Sequence, residues 1–450
     1  MAMVVKNNIP AKNTLNLLNR NDKALAKDLE KVSSGMRINS AADDASGYAI
    51  SDKMDVQIKS LDQDKDNTQN GQSILKTASG ALQSTVDILR TLKERAINAA
   101  NDSNTDVDRA TLQKELDQAI DQIDENANVE FNGMTMLDGS RNHYVQPGGT
   151  ANVVSNTNFS IFQGFDINTP LDQLKDKSGM TLSIQPTDQI EVSYFKDGKF
   201  IDQTFSAYNP SYGGSIVSLN DTLARDPMNK DFSLIFRPSD PTYVGEDSYG
   251  QPVHIEGVEM AVSIQAIDPG LENQVSGFNY CIKDAKGNPR TDLNKIFNDF
   301  NESVPAENQS SDNVFHFQIG TKSNQTINIG FADMRAQALG LKTGSPAKNI
   351  SVATREQANA AIQALDTALQ KVLDQQTTLG AVTSRLDFTA DNITTGSENT
   401  QSAMSVIRDA DMAKEMTAYT KDNILAQASQ AMLAQANQNS SSVLSLLQGQ

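Results

Sequence analysis

Apolar residues recur every three or four positions near both ends of this 450-residue chain, while the middle follows a different rhythm. Leu15, Leu18, Leu25, Leu29, Val32 and Met36 fall on the a and d positions of a heptad, broken only by Asp22; such a stripe predicts a coiled-coil seam. Towards the other end Leu425, Ala428, Met432 and Ala436 keep the period, with Leu433 beside them and Val443, Leu444, Leu446 and Leu447 following. Each terminal helix thus carries an apolar face that it cannot cover itself. An isolated helix of this length is marginal in water, because packing rather than propensity repays its nucleation. The faces need each other, a second copy of the chain, or a chaperone.

Inward from the N-terminus, Leu75, Ala78, Leu82, Leu89, Leu92, Ala96 and Ala99 hold the same spacing, with Thr85 as the one polar position. The run predicts a long amphipathic helix. Asn101 to Asn104 interrupt it, and Leu112, Leu116, Ala119 and Ile123 mark a second helix running back. Near the other end Thr354 and Gln357 have capping-box spacing. They open a run through Ile362, Leu365, Leu369, Val372, Leu379, Leu386 and Ile393, some forty residues or roughly 60 Å of helix. Neither set buries its stripe alone, so the two are expected to pack together as a long antiparallel bundle.

Between them, residues 141–313 hold 11 of the 13 prolines and 18 of the 25 aromatic residues, which places a domain boundary at each end of that stretch. Gln189 to Ile201 alternates apolar and polar residues around Asp197-Gly198 and reads as a β-hairpin. A second alternation, Phe317, Ile319, Ile327, Ile329 and Phe331 around Thr321 to Gln325, predicts a small hairpin after the insertion. The fold expected is mostly α: a coiled-coil rod of antiparallel helices, a small β-hairpin, and a compact β-rich outer domain of one or two subdomains.

Composition narrows the function. A net charge of -18 argues against nucleic acid, which needs a basic face. No apolar run approaches the ~18 residues of a membrane span. Met1 to Val5 is apolar for only five residues before Lys6, too short for a Sec-type signal core. The single Cys281 excludes an intramolecular disulfide. His143, His254 and His316 stand apart in sequence, and His254-Ile-Glu256 lacks the second histidine that helical zinc ligation requires. Neither an enzyme nor a cofactor or metal site is expected.

Several segments carry a family pattern. Ser33-Ser-Gly-Met-Arg-Ile-Asn-Ser-Ala-Ala-Asp-Asp-Ala-Ser-Gly-Tyr-Ala-Ile50 resembles the N-terminal signature of bacterial flagellin. Ile424 to Gln438 and Val443-Leu-Ser-Leu-Leu447 resemble its other end, and Phe131-Asn-Gly133 and Arg408-Asp-Ala-Asp411 also match. The resemblance covers roughly residues 1–140 and 314–450. It implies a subunit that polymerises into the flagellar filament for swimming, a homo-oligomer of many copies outside the cell.

Under that resemblance, residues 1–44 and 413–450 are the terminal coiled coil lining the filament channel, and 45–140 and 314–412 are the helical rod. Residues 141–313 become the surface-exposed insertion. The assembly helices present Leu15, Leu18, Leu25, Leu29, Val32, Leu425, Met432, Leu433, Val443, Leu446 and Leu447. Gly35, Arg37, Asp43 and Asp44 belong to the turn signature; either they make inter-subunit contacts or Gly35 serves a simple turn and the charges are solvated. Familiar members place the hairpin before the variable domain, whereas here it follows. Some relatives carry a zinc peptidase in the variable domain, a motif this chain lacks.

Implied partners are a flagellar export chaperone, the filament cap and hook-junction proteins, with type III export and no cleaved signal. A junction protein sharing the terminal plan, and an adhesive display role for residues 141–313, are the rival readings. The family also implies sensing by Toll-like receptor 5 around Arg90, Glu94, Arg95 and Glu115. Here Lys93-Glu-Arg-Ala-Ile97 puts Arg95 where the pattern has Leu, and Thr91 stands where strongly activating members carry Arg. A guanidinium in an apolar contact costs desolvation unless paired, so a weak ligand is expected.

Overall fold

The computed structural model describes residues 8–209, 215–225, 228–238 and 241–448; Met1 to Val5, Gly449 and Gln450 lie outside the described residues. The side chains of Val443, Leu444, Leu446 and Leu447 are outside them too. Five long helices frame the chain: α1 (Ile9–Ser34), α2 (Ala45–Ala99), α3 (Asp106–Ala127), α4 (Arg355–Arg408) and α5 (Met412–Gln448). The chain divides into two compact units. One comprises Met1–Gln69, Gln318–Gln325 and Phe388–Gln450, the other Asn70–Phe317 and Thr326–Asp387.

In the second unit the helical stripe is fully used. Leu75, Ala78, Leu82, Leu89, Leu92, Ala96 and Ala99 are all buried, as are Leu116, Ile120, Ile123, Leu365, Val372, Leu379 and Leu386. Polar ties fix α4 antiparallel to α2: Gln72 donates to Asp387 at 2.7 Å, Gln376 to Gln83 at 3.0 Å, and Lys93 pairs with Asp366. Thr105 opens α3 with a complete capping box, accepting from the Asp108 amide while Asp108 accepts from its own. At α4 only half of the expected box forms. Thr354 accepts from the Gln357 amide at 3.2 Å, but the Gln357 side chain accepts instead from the Ser351 hydroxyl at 2.8 Å. At 54 residues α4 outruns the forty expected, and α2 spans 55.

The insertion forms strands β1 (Val153–Asn156), β2 (Gln189–Lys196), β3 (Lys199–Ser206), β4 (Phe232–Ile235), β5 (Val262–Ala266), β6 (Ser276–Lys283) and β7 (Asn301–Val304). They make a four-stranded sheet in the order β7-β1-β5-β4 and a three-stranded sheet β6-β2-β3, antiparallel at every pairing. The β2–β3 turn is Asp197-Gly198, both with positive φ (52° and 69°), the two-residue geometry that follows the twist of a hairpin. One apolar cluster, including Phe159, Tyr194, Phe232, Phe278, Tyr280 and Phe297, joins both sheets. Its rings meet edge-on or offset at 4.8 to 6.3 Å. The aromatic excess of the middle is therefore mostly core.

After the insertion, β8 (Phe315–Gln318) and β9 (Thr326–Ile329) pair as a hairpin, with Phe317, Ile327, Ile329 and Phe331 buried. A smaller turn precedes the insertion: Glu130–Phe131 pairs with Met134–Thr135 through Asn132 and Gly133, again at positive φ.

The first unit is built differently. Among the described residues its only buried apolar side chains are Ile38, Ile393 and Ala426. Thirteen large apolar ones are exposed, from Ile9 and Leu15 to Leu425 and Met432. Truncating a core residue of the second unit forfeits both transfer energy and a cavity. Leu82→Ala is expected to lower monomer stability by about 2 to 5 kcal/mol, and Leu29→Ala by no more than about 0.5 kcal/mol. Urea denaturation of the purified monomer measures both, and equal losses would contradict this division.

Candidate assembly surface

The terminal helices run antiparallel. Asn8 donates to the Ala436 carbonyl at 3.4 Å, Asn21 to Ser429 Oγ at 2.9 Å and to the Leu425 carbonyl at 3.2 Å, and Lys31 pairs with Glu415 at 3.6 Å. The seam of α1 is Ala11, Thr14, Leu18, Asn21, Leu25, Asp28 and Val32, all half-buried, with Ala24 and Lys31 half-buried beside it. It keeps the heptad period but is rotated from the row expected. Leu18, Leu25 and Val32 are shared, whereas Leu15 and Leu29 turn outward, Leu29 at 51% exposure.

On α5 the seam is Ala418, Asp422, Ala426, Ser429, Leu433 and Ala436. Leu433 thus faces α1, while Leu425 and Met432 face away, Met432 at 63% exposure. The expected row through Leu425, Ala428 and Met432 is corrected by one position. Two physical reasons set the rotation: alanine and serine let the helices approach, and Asn21 finds its hydrogen-bond partners only there.

The pairing is weak by construction. Asp28 sits against Asp422, and its carboxyl is raised above the ordinary range by burial first and by Asp422 next. A raised carboxyl favours the paired state below the ordinary pKa, and that advantage is lost as pH rises through the folded value. At neutral pH Asp28 therefore faces an unfavourable neighbour in Asp422. The outer faces of the pair meanwhile carry Leu15, Leu17, Leu29, Ile424, Leu425 and Met432, exposed and unpartnered in the single chain.

The turn joining α1 to α2 is ordered by local bonds. Gly35 ends α1 in the left-handed region (φ 69°), its amide donating to the Lys31 carbonyl. Met36 then bridges Asp409, the Arg37 amide donates to the Arg408 carbonyl at 2.7 Å, and the Ala410 amide donates to Gly35 at 2.9 Å. The Arg37 guanidinium donates to the Ile407 carbonyl at 2.7 Å. Asp43 accepts from Lys27 at 2.8 Å and from the Asn39 and Ser40 amides, and Asp44 accepts from Ser46 and Gly47 at the start of α2. The signature charges therefore have partners within the chain. Gly47 is where the chain packs closest: a Cβ there would lie 2.5 Å from Asp44 Oδ2 and 2.7 Å from Ile38.

Elsewhere, Arg95 donates to Glu115 at 2.8 Å across α2 and α3, Arg90 lies 3.4 Å from Asp87, and Glu94 is exposed. The Arg95–Glu115 pair is about half exposed and contributes little to stability. The histidines are dispersed: His143 beside Glu307, His254 opposite Tyr243, and His316 bonded to Asn328. No group of three potential metal ligands occurs among the described residues.

A family model described as the bacterial flagellin N-terminal helical region matches residues 5–142, and one described as the bacterial flagellin C-terminal helical region matches residues 362–447. A flagellin of Clostridium tyrobutyricum is 32% identical over 438 residues, covering 97% of this chain and 99% of the relative. A flagellin of Bacillus subtilis is 29% identical, covering 99% of this chain and 100% of the relative. A flagellar filament 31.3 kDa core protein of Treponema maltophilum is 27% identical over the same shares.

Asp43 makes the turn acid-sensitive. Its carboxyl is held down to about 2, chiefly by the hydrogen bond from Lys27 and then by the Ser40 and Asn39 amides. A depressed carboxyl stabilises fully above its unfolded value of 3.8 and ceases to do so as pH falls towards 2. Amide exchange of residues 35–48 should therefore accelerate across that window. Asp43→Asn is expected to be less protected at pH 7 and to lack that acid step; an unchanged acid step in the variant would show that another group causes it.

Proposed function

We propose that this chain, which belongs to the bacterial flagellin family and is a structural subunit of the extracellular flagellar filament rather than an enzyme, polymerises through the outward faces of its terminal helices. One observation carries this reading: the first unit leaves thirteen large apolar side chains exposed and, among the described residues, buries three. A filament needs a heterologous contact that repeats without closing. Leu15, Leu17 and Leu29 on α1, with Ile424, Leu425 and Met432 on α5, are the patches for it. The hydrophobic residues of the C-terminal signature, Val443, Leu446 and Leu447, extend the same helix.

Burial of a Leu or Met that is already half covered contributes roughly 1 kcal/mol, about half the value for full burial. Several such residues per contact offset the entropy of fixing the terminal segments. Assembly is in this reading coupled to completion of the fold. Before assembly, the exposed α5 face suits a flagellar export chaperone that takes an amphipathic helix in a groove. Hook-junction proteins and the filament cap are the partners at the filament's two ends. Gly35, Arg37, Asp43 and Asp44 act by shaping the turn rather than by pairing with a neighbour.

Residues 141–313, with a core of their own, are proposed to face outward and to be dispensable for polymerisation. Innate sensing through Toll-like receptor 5 is proposed to be weak, because Arg95 occupies a position that the family fills with Leu and is already tied to Glu115.

Two experiments test these readings. Leu425→Gln combined with Met432→Gln is expected to leave the monomer's stability unchanged and to raise the critical concentration for polymerisation roughly tenfold or more, since ~1.4 kcal/mol corresponds to a factor of ten. Sedimentation of seeded filaments measures it, and an unchanged critical concentration refutes the assembly face. In a receptor reporter assay, Arg95→Leu should raise activation by purified monomer; potent activation by the unaltered chain contradicts the proposal.

A further inference from the structure

Most of the described aromatic residues of the insertion are core or packed against it, but the exposed Tyr144 and Tyr249 stand together. Tyr144 is 38% exposed and Tyr249 is 55% exposed. Their rings stack with centroids 5.8 Å apart and 29° between planes, and the His143 ring lies 6.0 Å from Tyr249 on the same patch. The patch is firmly held. Tyr249 sits in a tight turn in which Asp247 Oδ1 accepts from the Tyr249 and Gln251 amides, and Gly250 takes a positive φ. Tyr144 is paired with Ser311 in a short antiparallel ladder, and Ser248 Oγ lies 2.8 Å from His143 Nε2. Rigid presentation lowers the entropy lost when a ligand binds.

The rim is acidic. Glu307 lies 3.4 Å from His143 Nε2 with its carboxylate mostly buried, and Asp312 and Asp247 are near enough to act on the imidazole charge. Together they hold the His143 imidazole above its ordinary range, Glu307 most strongly, which reports a negative local field.

We propose that Tyr144, Tyr249 and His143, rimmed by Asp247, Glu307 and Asp312, form a docking site for an arginine-bearing segment of a partner protein. Aromatic faces attract cations, and the acidic rim selects positive charge. A quaternary ammonium ligand calls for an enclosing aromatic cage with no hydrogen-bond acceptors, whereas this patch is open and bordered by carboxylates. A planar guanidinium uses both features, stacking on a ring while its N–H groups reach a carboxylate. An ammonium on a lysine uses only the charge.

Use of the site on the filament rests on the outward placement of residues 141–313, so the test separates the two. Fluorescein-labelled peptides of sequence Gly-Arg-Gly-Arg-Gly, with lysine or neutral citrulline replacing both arginines, are titrated by anisotropy against purified full-length subunit. The arginine peptide is expected to bind at least tenfold more tightly than the citrulline peptide and more tightly than the lysine peptide. Tyr249→Ala should weaken it tenfold or more, Tyr249→Phe should retain it, and Tyr208→Ala, at another exposed tyrosine, should leave it unchanged. Equal affinity for arginine and citrulline peptides, or no loss in Tyr249→Ala, overturns the proposal. If monomers bind and intact filaments do not, the site stands and the outward placement falls.

Discussion

An apolar helical face without a partner is the constraint on which the rest of this molecule depends. The α1–α5 seam mixes Leu18, Leu25, Val32 and Leu433 with alanine, serine, threonine, asparagine and aspartate, while Leu15, Leu17, Leu29, Ile424, Leu425 and Met432 look outward. In a soluble monomer that arrangement stabilises little. It gives a segment that stays helical enough to be recognised and incomplete enough to need neighbours, which is what a filament subunit requires at the moment of addition. A better-packed internal pair, with Leu15 and Met432 facing each other, would close the seam and weaken the drive to polymerise.

The second unit supplies what the first lacks. There α2, α3 and α4 bury Leu75, Leu82, Leu89, Leu92, Leu116, Leu365, Leu379 and Leu386, with Lys93–Asp366 and the Lys371–Glu302 pair at 2.7 Å tying elements together. Because the insertion has its own aromatic core, its surface chemistry is free to vary without disturbing the helical frame. The proposed assembly faces and the proposed surface site therefore draw on different residues of one chain.

Much of this was legible in the sequence where the determining interactions are local or strictly periodic. The stripe from Leu75 to Ala99 is buried throughout because a single face of a long helix meets its partners along its whole length. Asp197-Gly198 announced its hairpin because that turn needs positive φ at both positions. The rotation of the terminal seam was not legible. Leu15 and Leu18 are equally apolar, and only the partner helix, through Ser429 and its small neighbours, decides which one turns inward. The strand order β7-β1-β5-β4 was also hidden, since it joins segments more than a hundred residues apart. The paired tyrosines of the insertion left no periodic signal, because Tyr144 and Tyr249 meet only in the fold.

On this proposal the outward faces of α1 and α5 become buried when subunits join. Methionine oxidation footprinting of monomer and filament by mass spectrometry reads this directly, because Met416 and Met432 are exposed on α5 and Met180 is exposed on the insertion. Met432 and Met416 should oxidise readily in the monomer and be strongly protected in the filament, while Met180 oxidises equally in both. Oxidation of Met432 at the same rate in filament and monomer would contradict it.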